Sequence, residues 1–346
     1  MRIAFVHHYS LTLNRGGERM LQSMASELAK RGHCVSIYAV PFRRALGRTY
    51  KIGGYKYLET ISAKVDCDIA YYVYAPLLDR LFRTDAPKIV GVHNFTLWPE
   101  FALVRTSTSE LMYRAGALAA ATVIYNRVLK GRDIPKRFDA IHIPNLVAPA
   151  KFEIPVYCIP NWFDDDIFKP LSSKNDTFTV LYVGSEAWTK GFDIFLKIYE
   201  VLSKRENNIN FIAVGLGRKI QKKNMIVYPF INSQEKLAQL YSLSHVTIYP
   251  SRADIFGITL IESMACGTPV LTSNLLSHVC FLPKFNLCQS IADYVCKTIK
   301  LYKMFRDNTG TYELFVKKSI QISKNFAKKK VFPNFEKMIY ETSRQF

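Results

Sequence analysis

The chain has no apolar run long enough to cross a bilayer: its nearest candidate, Ala115 to Tyr125, falls well short of the ~20 residues a spanning helix needs. Its seven cysteines (34, 67, 158, 266, 280, 288, 296) form no Cys-x-x-Cys pair and none lies at metal spacing from a histidine. That argues against a zinc module or a disulfide framework and fits free thiols in a reducing compartment. There is no solenoid-type repeat and no low-complexity tract. The start, Met1-Arg-Ile-Ala-Phe-Val-His-His8, lacks the long apolar core and cleavage site of a signal peptide and reads as a first strand. Acids are scarce: 28 Asp+Glu against 47 Lys+Arg leave a net charge of +19. Such an excess favours an anionic partner: nucleic acid, a phosphorylated substrate or an acidic membrane face.

What is present is a globular sequence. Hydrophobic residues make up 49% of 346, which excludes a disordered class and fits two domains. The patterning alternates strand and helix twice over. Arg2 to His8 reads as a strand. Glu18 to Arg31 follows as an amphipathic helix with Met20, Leu21, Met24, Ala25 and Leu28 at helical spacing, and Cys34 to Val40 as the next strand. Further apolar strands are expected at 69–73, 88–92 and 140–143, with one or two helices over 108–129. After Lys169-Pro170 and the polar stretch 172–176 a second series begins: strands at 177–183, 210–214, 225–228, 246–249 and 270–272, helices at 192–205, 233–242 and 258–266. Asn232 with Glu235 reads as the cap of the helix at 233. The tail from Lys317 reads as helical and basic, broken at Pro333. Two open parallel sheets in tandem predict a ligand cleft between them, beyond the carboxyl ends of their strands.

The chemistry concentrates in four loops at those strand ends. In Asp254-Ile-Phe-Gly-Ile-Thr-Leu-Ile-Glu262, Gly257 permits a sharp turn and close approach to a ligand. The first N–H groups of the following helix lack partners within it and carry the positive end of its dipole, so they suit a phosphate. The flanking carboxylates accept hydrogen bonds from sugar hydroxyls. Lys190-Gly191 follows the strand ending in Val183-Gly184-Ser185 and can neutralise a diphosphate leaving group. Gly16-Gly17-Glu18 can turn backbone N–H groups toward an anion. His93, after the strand at 88–92, can bond a hydroxyl or steady developing charge. Each alone is equally an ordinary turn, helix start or solvated side chain; four together are a pattern.

Together these pieces resemble the retaining glycosyltransferases of the GT-B class, the group often called family 4. The matching stretches are Arg15-Gly-Gly-Glu-Arg19, Ile159-Pro-Asn-Trp-Phe-Asp-Asp-Asp-Ile-Phe-Lys-Pro170, Tyr182-Val-Gly-Ser-Glu-Ala-Trp-Thr-Lys-Gly191, Leu240-Tyr-Ser-Leu-Ser-His-Val-Thr-Ile-Tyr-Pro-Ser251 and the two acids 254 and 262. The likeness covers almost the whole chain and is loosest over about 41–150. It implies an α/β GT-B fold: two Rossmann-like domains with an interdomain cleft and a C-terminal helix crossing back. The first domain, 1–162, would bind the acceptor, the second, 163–325, the nucleotide-sugar, and 326–346 would return to the first. By the same resemblance Glu262 holds the ribose. Gly257, Ile258 and Thr259 meet the diphosphate with Lys190 and Gly17 nearby, and Asp254 meets the donor sugar. His93 lies by the reacting carbon. The implied donor-binding set is Gly16, Gly17, Gly184, Ser185, Lys190, Arg218, Phe256, Gly257, Ile258, Thr259 and Glu262, and the implied catalytic set His93, Asp254 and Lys190. No cofactor and no essential metal are implied beyond the nucleotide-sugar co-substrate, and the anomeric configuration is retained.

Three departures stand out. Ser185 occupies the place of a usual arginine, with Arg218 as a candidate substitute; Asp254 is one methylene shorter than the usual glutamate; and Trp162 stands where glycine is common. Ser185 keeps open a non-catalytic nucleotide-sugar binder of the same fold. Asp164-Asp165-Asp166 could mimic a metal-binding acidic pair, but in the linker it reads as a solvated turn. Basic residues cluster at Arg43, Arg44, Arg48, Lys51, Lys56, Arg127, Lys130, Arg132, Lys136 and Arg137, then at Lys317-Lys318 and Lys328 to Lys330. They read either as solvated surface or as a face for anionic lipid, with Tyr55, Tyr57, Phe82, Phe95, Trp98 and Phe101 dipping into it. The second option suits a glycan or lipid-linked acceptor, a cytoplasmic protein, and peripheral attachment to the inner face of the plasma membrane. No nucleic-acid motif accompanies the charge, and no nucleic acid is expected as partner.

Overall fold

Buried strands of the first unit form one mostly parallel sheet in the computed structural model, which describes residues 1–13, 16–41, 49–52, 54–129, 134–217, 222–308 and 310–345. This unit comprises Met1–Trp98, Ala121–Asn161 and Val331–Phe346. Its strands are β1 (Arg2–His7), β2 (Cys34–Ala39), β3 (Thr49–Ile52), β4 (Tyr55–Glu59), β5 (Ala63–Lys64), β6 (Ile69–Val73), β7 (Phe82–Arg83), β8 (Lys88–Gly91), β9 (Ala140–Ile143) and β10 (Val156–Cys158). The sheet runs β10-β9-β8-β6-β1-β2-β4-β3, with β5 and β7 apart as a small ribbon. Only β3, against β4, is antiparallel among the pairings of the large sheet. β1 and β6 are apolar without alternation, as strands covered on both faces must be. α1 (Gly16–Lys30) buries Met20, Leu21, Met24, Ala25 and Leu28, the stripe its periodicity demands. β1 pairs with both β2 and β6, so the strand order reverses there. A short helix, α2 (Leu78–Leu81), follows β6.

The second unit comprises Pro99–Ala120 and Trp162–Lys330. It begins with α3 (Pro99–Ala102), α4 (Thr108–Ala115) and the start of α5 (Ala117–Leu129). Strands β11 (Phe178–Val183), β12 (Ile209–Val214), β13 (Met225–Tyr228), β14 (Val246–Tyr249), β15 (Val270–Ser273) and β16 (Leu287–Cys288) lie in the order β13-β12-β11-β14-β15-β16, all parallel. That is the doubly wound order of a dinucleotide-type sheet, and its reversal falls between β11 and β14. The helices are α6 (Phe192–Arg205), α7 (Gln234–Leu243), α8 (Ile258–Ala265), α9 (Leu276–Val279), α10 (Ile291–Arg306) and α11 (Thr311–Ser323), and α12 (Lys328–Arg344) carries the chain back into the first unit. There Tyr340 bonds His33 Nε2 at 3.1 Å and Glu336 pairs with Arg31.

Several sequence expectations change. Segment 99–120, expected within 1–162, groups with the second unit. Its backbone partners explain this: Leu103 bridges Ala253, Val104 N–H donates to Arg252 O at 2.8 Å, and Asp254 N–H donates to Ala102 O at 2.8 Å. The tail does not break at Pro333. It breaks at a 3-10 turn over Lys324–Phe326, and Pro333 sits inside α12 between buried Phe332 and Phe335, whose packing offsets the lost backbone bond. The cap at α7 is Ser233, which accepts from Lys236 N–H at 3.1 Å, rather than Asn232. Tyr55, Tyr57, Phe82, Trp98 and Phe101 are buried core and Phe95 half-buried, so this aromatic set is no membrane interface. Arg137 pairs with Asp79, and Lys328 and Lys329 pair with Asp164, Asp165 and Asp166. Arg15, Arg43, Arg44, Arg48, Lys130 and Arg132 lie outside the described residues, as do the side chains of Lys51 and Arg127.

Candidate active site

Parallel strands leave their ligands at the carboxyl ends, beside the point where strand order reverses. In the second unit the loops after β11 and β14 flank that point. The first turns through Gly184 and Ser185 into a 3-10 turn over Trp188–Lys190 and then Gly191, which opens α6 at φ 71°. The second runs through Ser251 and Asp254 to Gly257, which opens α8 at φ 85°. They are stitched together: Arg252 N–H donates to Thr189 O at 2.7 Å, and Ser251 Oγ donates to the same oxygen at 2.9 Å. Arg252 also forks onto Asp193 with two bonds of 2.7 Å.

This clasp brings Lys190 and Asp254 together. Lys190 Nζ donates to the Tyr249 hydroxyl at 2.8 Å, and Tyr249 in turn donates to Asp254 Oδ2. Nζ lies 3.5 Å from that same carboxylate oxygen. Burial, then the neighbouring charge of Asp254, pushes the Tyr249 phenol well above its ordinary value, so it remains a proton donor. Burial alone raises the Asp254 carboxyl. Lys190, His278, the Tyr249 hydroxyl and the Phe256 N–H outweigh it and hold the group below the usual carboxylate range. The arrangement is an ionised acid and a lysine held in register by an un-ionised phenol.

α8 starts immediately beyond. Ile258 and Thr259 are its first residues, so their N–H groups have no acceptor within the helix. Gly257 is needed there on two counts: its φ is left-handed, and a Cβ would stand 2.7 Å from Leu260 Cδ1. Glu262 lies one turn in, almost fully buried, and accepts from the Tyr241 hydroxyl at 3.3 Å. Gly184, Ser185, Lys190, Asp254 and Gly257 thus lie on the two loops beside the switch point, and Ile258, Thr259 and Glu262 on the start of α8. Phe256 belongs to them in sequence only. Its ring is fully buried against Phe281 and Phe326, at 5.0 and 5.3 Å, so it serves as core rather than ligand contact. Arg218 lies outside the described residues. Ser185 is exposed.

Gly16, Gly17 and His93 belong to the first unit. The paired glycines form the first turn of α1 rather than a loop before it, with open space beside both. His93 follows β8, and its Nε2 lies 2.7 Å from the Tyr71 hydroxyl. The sequence reading missed Tyr71, His142, Tyr249 and His278. A tyrosine ending a fully buried β-branched strand, as in Val246-Thr-Ile-Tyr249, was the available signal for one of them.

The architecture is shared by known proteins. The chain superposes on a sucrose-phosphate synthase from Thermosynechococcus elongatus with a TM-score of 0.73 at 14% identity, covering 99% of this chain and 98% of that one. On Anabaena HepE in complex with UDP and glucose it superposes with a TM-score of 0.70 at 13% identity, covering 99% and 100%. Two doubly wound units and a returning C-terminal helix thus make this a protein of the GT-B fold. Within it, residues 163–280 match the family model of glycosyl transferases group 1. A D-inositol 3-phosphate glycosyltransferase of Paenarthrobacter aurescens is 28% identical over 113 residues; the match spans 29% of this chain and 28% of that relative's length.

Proposed function

We propose that the chain is a retaining, metal-independent glycosyltransferase that moves a sugar from a nucleotide-sugar to a glycan or lipid-linked acceptor at the cytoplasmic face of a membrane. The observation that carries this reading is the Lys190–Tyr249–Asp254 network beside the left-handed Gly257 that opens α8. The N–H groups of Ile258 and Thr259, without acceptors inside α8, and the ammonium of Lys190 supply positive potential for a diphosphate, and Asp254 accepts from a sugar hydroxyl. Glu262 receives the ribose. In the proposed step the bond from the anomeric carbon to the diphosphate oxygen breaks as the acceptor oxygen bonds from the same face. The acceptor's proton passes to the departing diphosphate, whose charge Lys190 and the helix start stabilise. Asp164, Asp165 and Asp166 are engaged by Lys328 and Lys329, which supports a role in the linker rather than in holding a metal.

A membrane-face acceptor is supported by the net charge of +19 and by apolar side chains standing in solvent: Tyr113 at 83% beside Arg114 on α4, and Val128 at 73% on α5. Among the described residues no helix is long and apolar enough to cross a membrane. A thermal-shift panel of UDP-, GDP-, ADP- and TDP-sugars identifies the donor, and proton NMR of the product reads the anomeric configuration. An inverted linkage would overturn the retaining step. Stabilisation by nucleotide without transfer to any acceptor would favour a non-catalytic binder, the reading that the exposed Ser185 supports. Sedimentation with acidic liposomes at low and high salt tests the membrane.

A further inference from the structure

His93 is the outer member of a buried relay in the first unit. The Tyr71 hydroxyl lies 2.7 Å from His93 Nε2 and 2.6 Å from His142 Nδ1, and His142 Nε2 lies 2.8 Å from the carbonyl of Ile159. The rings of Tyr71 and His142 are fully buried, and Phe335 of α12 packs edge-on against both at 5.7 and 5.5 Å. Gly91 makes room for the phenol: a Cβ there would stand 1.9 Å from the Tyr71 hydroxyl oxygen.

With both rings neutral, these distances order the protons along the relay. A carbonyl only accepts, so His142 carries its proton on Nε2. Burial lowers His142 to about 4, so its ring is neutral and Nδ1 is an acceptor. The one group able to supply that acceptor is the Tyr71 hydroxyl. Had Tyr71 donated to His93 instead, two lone pairs would face each other across 2.6 Å. The Tyr71 oxygen, its proton turned inward, therefore accepts from His93, which must be protonated at Nε2. Burial, with His142, His7 and His8 adding to it, holds His93 far below the usual imidazole range, so this ring is neutral too. Its lone pair is left on Nδ1, which has no partner among the described residues, and the residue as a whole is half-buried.

We propose that Tyr71 and His142 are positioning residues that lock His93 in the Nε2–H tautomer, so that it presents Nδ1 purely as a hydrogen-bond acceptor and receives a hydroxyl of the sugar or acceptor rather than a phosphate. The catalytic consequence rests on the function proposed above; the tautomer does not. A cationic or Nδ1–H histidine at a strand end can grip an anionic oxygen, but a neutral ring with its lone pair outward repels one. Phosphate recognition is thus assigned to Lys190 and α8, and a hydroxyl to His93.

Two-bond nitrogen–proton NMR of protein labelled with 15N-histidine reads the tautomer directly, without a substitution. The expected result for His93 is a single neutral Nε2–H species at pH 7 that inorganic phosphate does not move. An Nδ1–H species, a tautomer mixture, or conversion to imidazolium by phosphate overturns the proposal. In Tyr71→Phe, His93 is expected to become a tautomer mixture, and transfer is expected to fall on the order of tenfold in kcat with the donor KM unchanged, the scale of one hydrogen bond. A Tyr71→Phe protein whose His93 keeps the single tautomer also overturns it, whatever its stability. A single Nε2–H tautomer in a chain that transfers no sugar leaves the relay standing and removes the glycosyltransferase reading.

Discussion

Gly191 rests against the backbone of Pro250 so closely that a Cβ at Gly191 would meet the Pro250 carbonyl oxygen at 1.9 Å. The contact joins the loop that carries Lys190 to the loop that carries Asp254, and Gly191 also holds φ at 71°, a region that side chains strain to enter. Gly191→Ala is therefore expected to separate the two loops. Unfolding in urea should show a loss of roughly 2–4 kcal/mol from strain and steric displacement, and donor affinity should fall with it. Gly217→Ala is the control. Among the described residues nothing lies within 4 Å of where its Cβ would stand, and its expected effect is within ~0.5 kcal/mol.

Lys190 is expected to act on the departing diphosphate, so Lys190→Met should lower kcat by on the order of 10²–10³. The substitution also reveals how Asp254 stays ionised. Burial raises that carboxyl, and Lys190 is the strongest of the groups that bring it down. Without the lysine, the folded-state pKa moves upward. The acid limb of the kcat/KM profile should move to higher pH. Stability that the native chain keeps down to low pH, through a depressed carboxylate, should begin to be lost at a higher pH in the variant. Urea midpoints collected from pH 3 to 7 check this, and an unmoved acid limb removes Asp254 from the proposed chemistry.

Tyr249→Phe tests the spacer between those two charges. The ring remains as core, but the hydroxyl that bonds Lys190 and Asp254 is gone. The expected cost is about 1–2 kcal/mol, because the largely buried Asp254 and the half-buried Lys190 each lose a partner. The transfer rate should fall by less than in Lys190→Met, since the ammonium is still present but less well aimed. A larger kinetic loss than that of Lys190→Met would mean that Tyr249 itself touches the reacting groups.

Much of the second unit was legible because parallel strands covered on both faces are written as continuous apolar runs. Helix 192–205 and strands 225–228 and 246–249 appear as read. The helix start at 257–258 was legible because a glycine precedes an apolar run, and Gly257 does open α8 with a left-handed φ. What stayed hidden was pairing across distance. Tyr71 and His142 are 71 residues apart and meet only because β6, β8 and β9 lie side by side. Segment 99–120 carries no mark of the unit it joins, since its partners are backbone atoms of Ala253, Arg252 and Asp254. Pro333 misled because propensity is local: the burial of Phe332 and Phe335 decides that helix. The aromatic set at 55–101 misled for a related reason, because composition cannot tell a buried tyrosine from an interfacial one.

Lys174 supplies a pH dependence remote from the proposed chemistry. Its Nζ donates to Ser244 O at 2.6 Å and to Thr268 Oγ1 at 2.5 Å, two acceptors that a neutral amine can still satisfy. Burial lowers the folded pKa to about 7, whereas in the unfolded chain the proton is held to ~10.4. Between these values the unfolded state binds the extra proton, so stability rises with pH, by at most ~1.4 kcal/mol per unit. Below about 7 the cost of carrying a buried charge is fully present; above ~10.4 it is gone. Lys174→Met has no proton to shed. Subtracting its urea-unfolding free energy from that of the native chain should give a difference that climbs from pH 7 to 9.5. A flat difference would show that Lys174 keeps its charge in the fold, which requires a carboxylate or water-filled path beside Ser244.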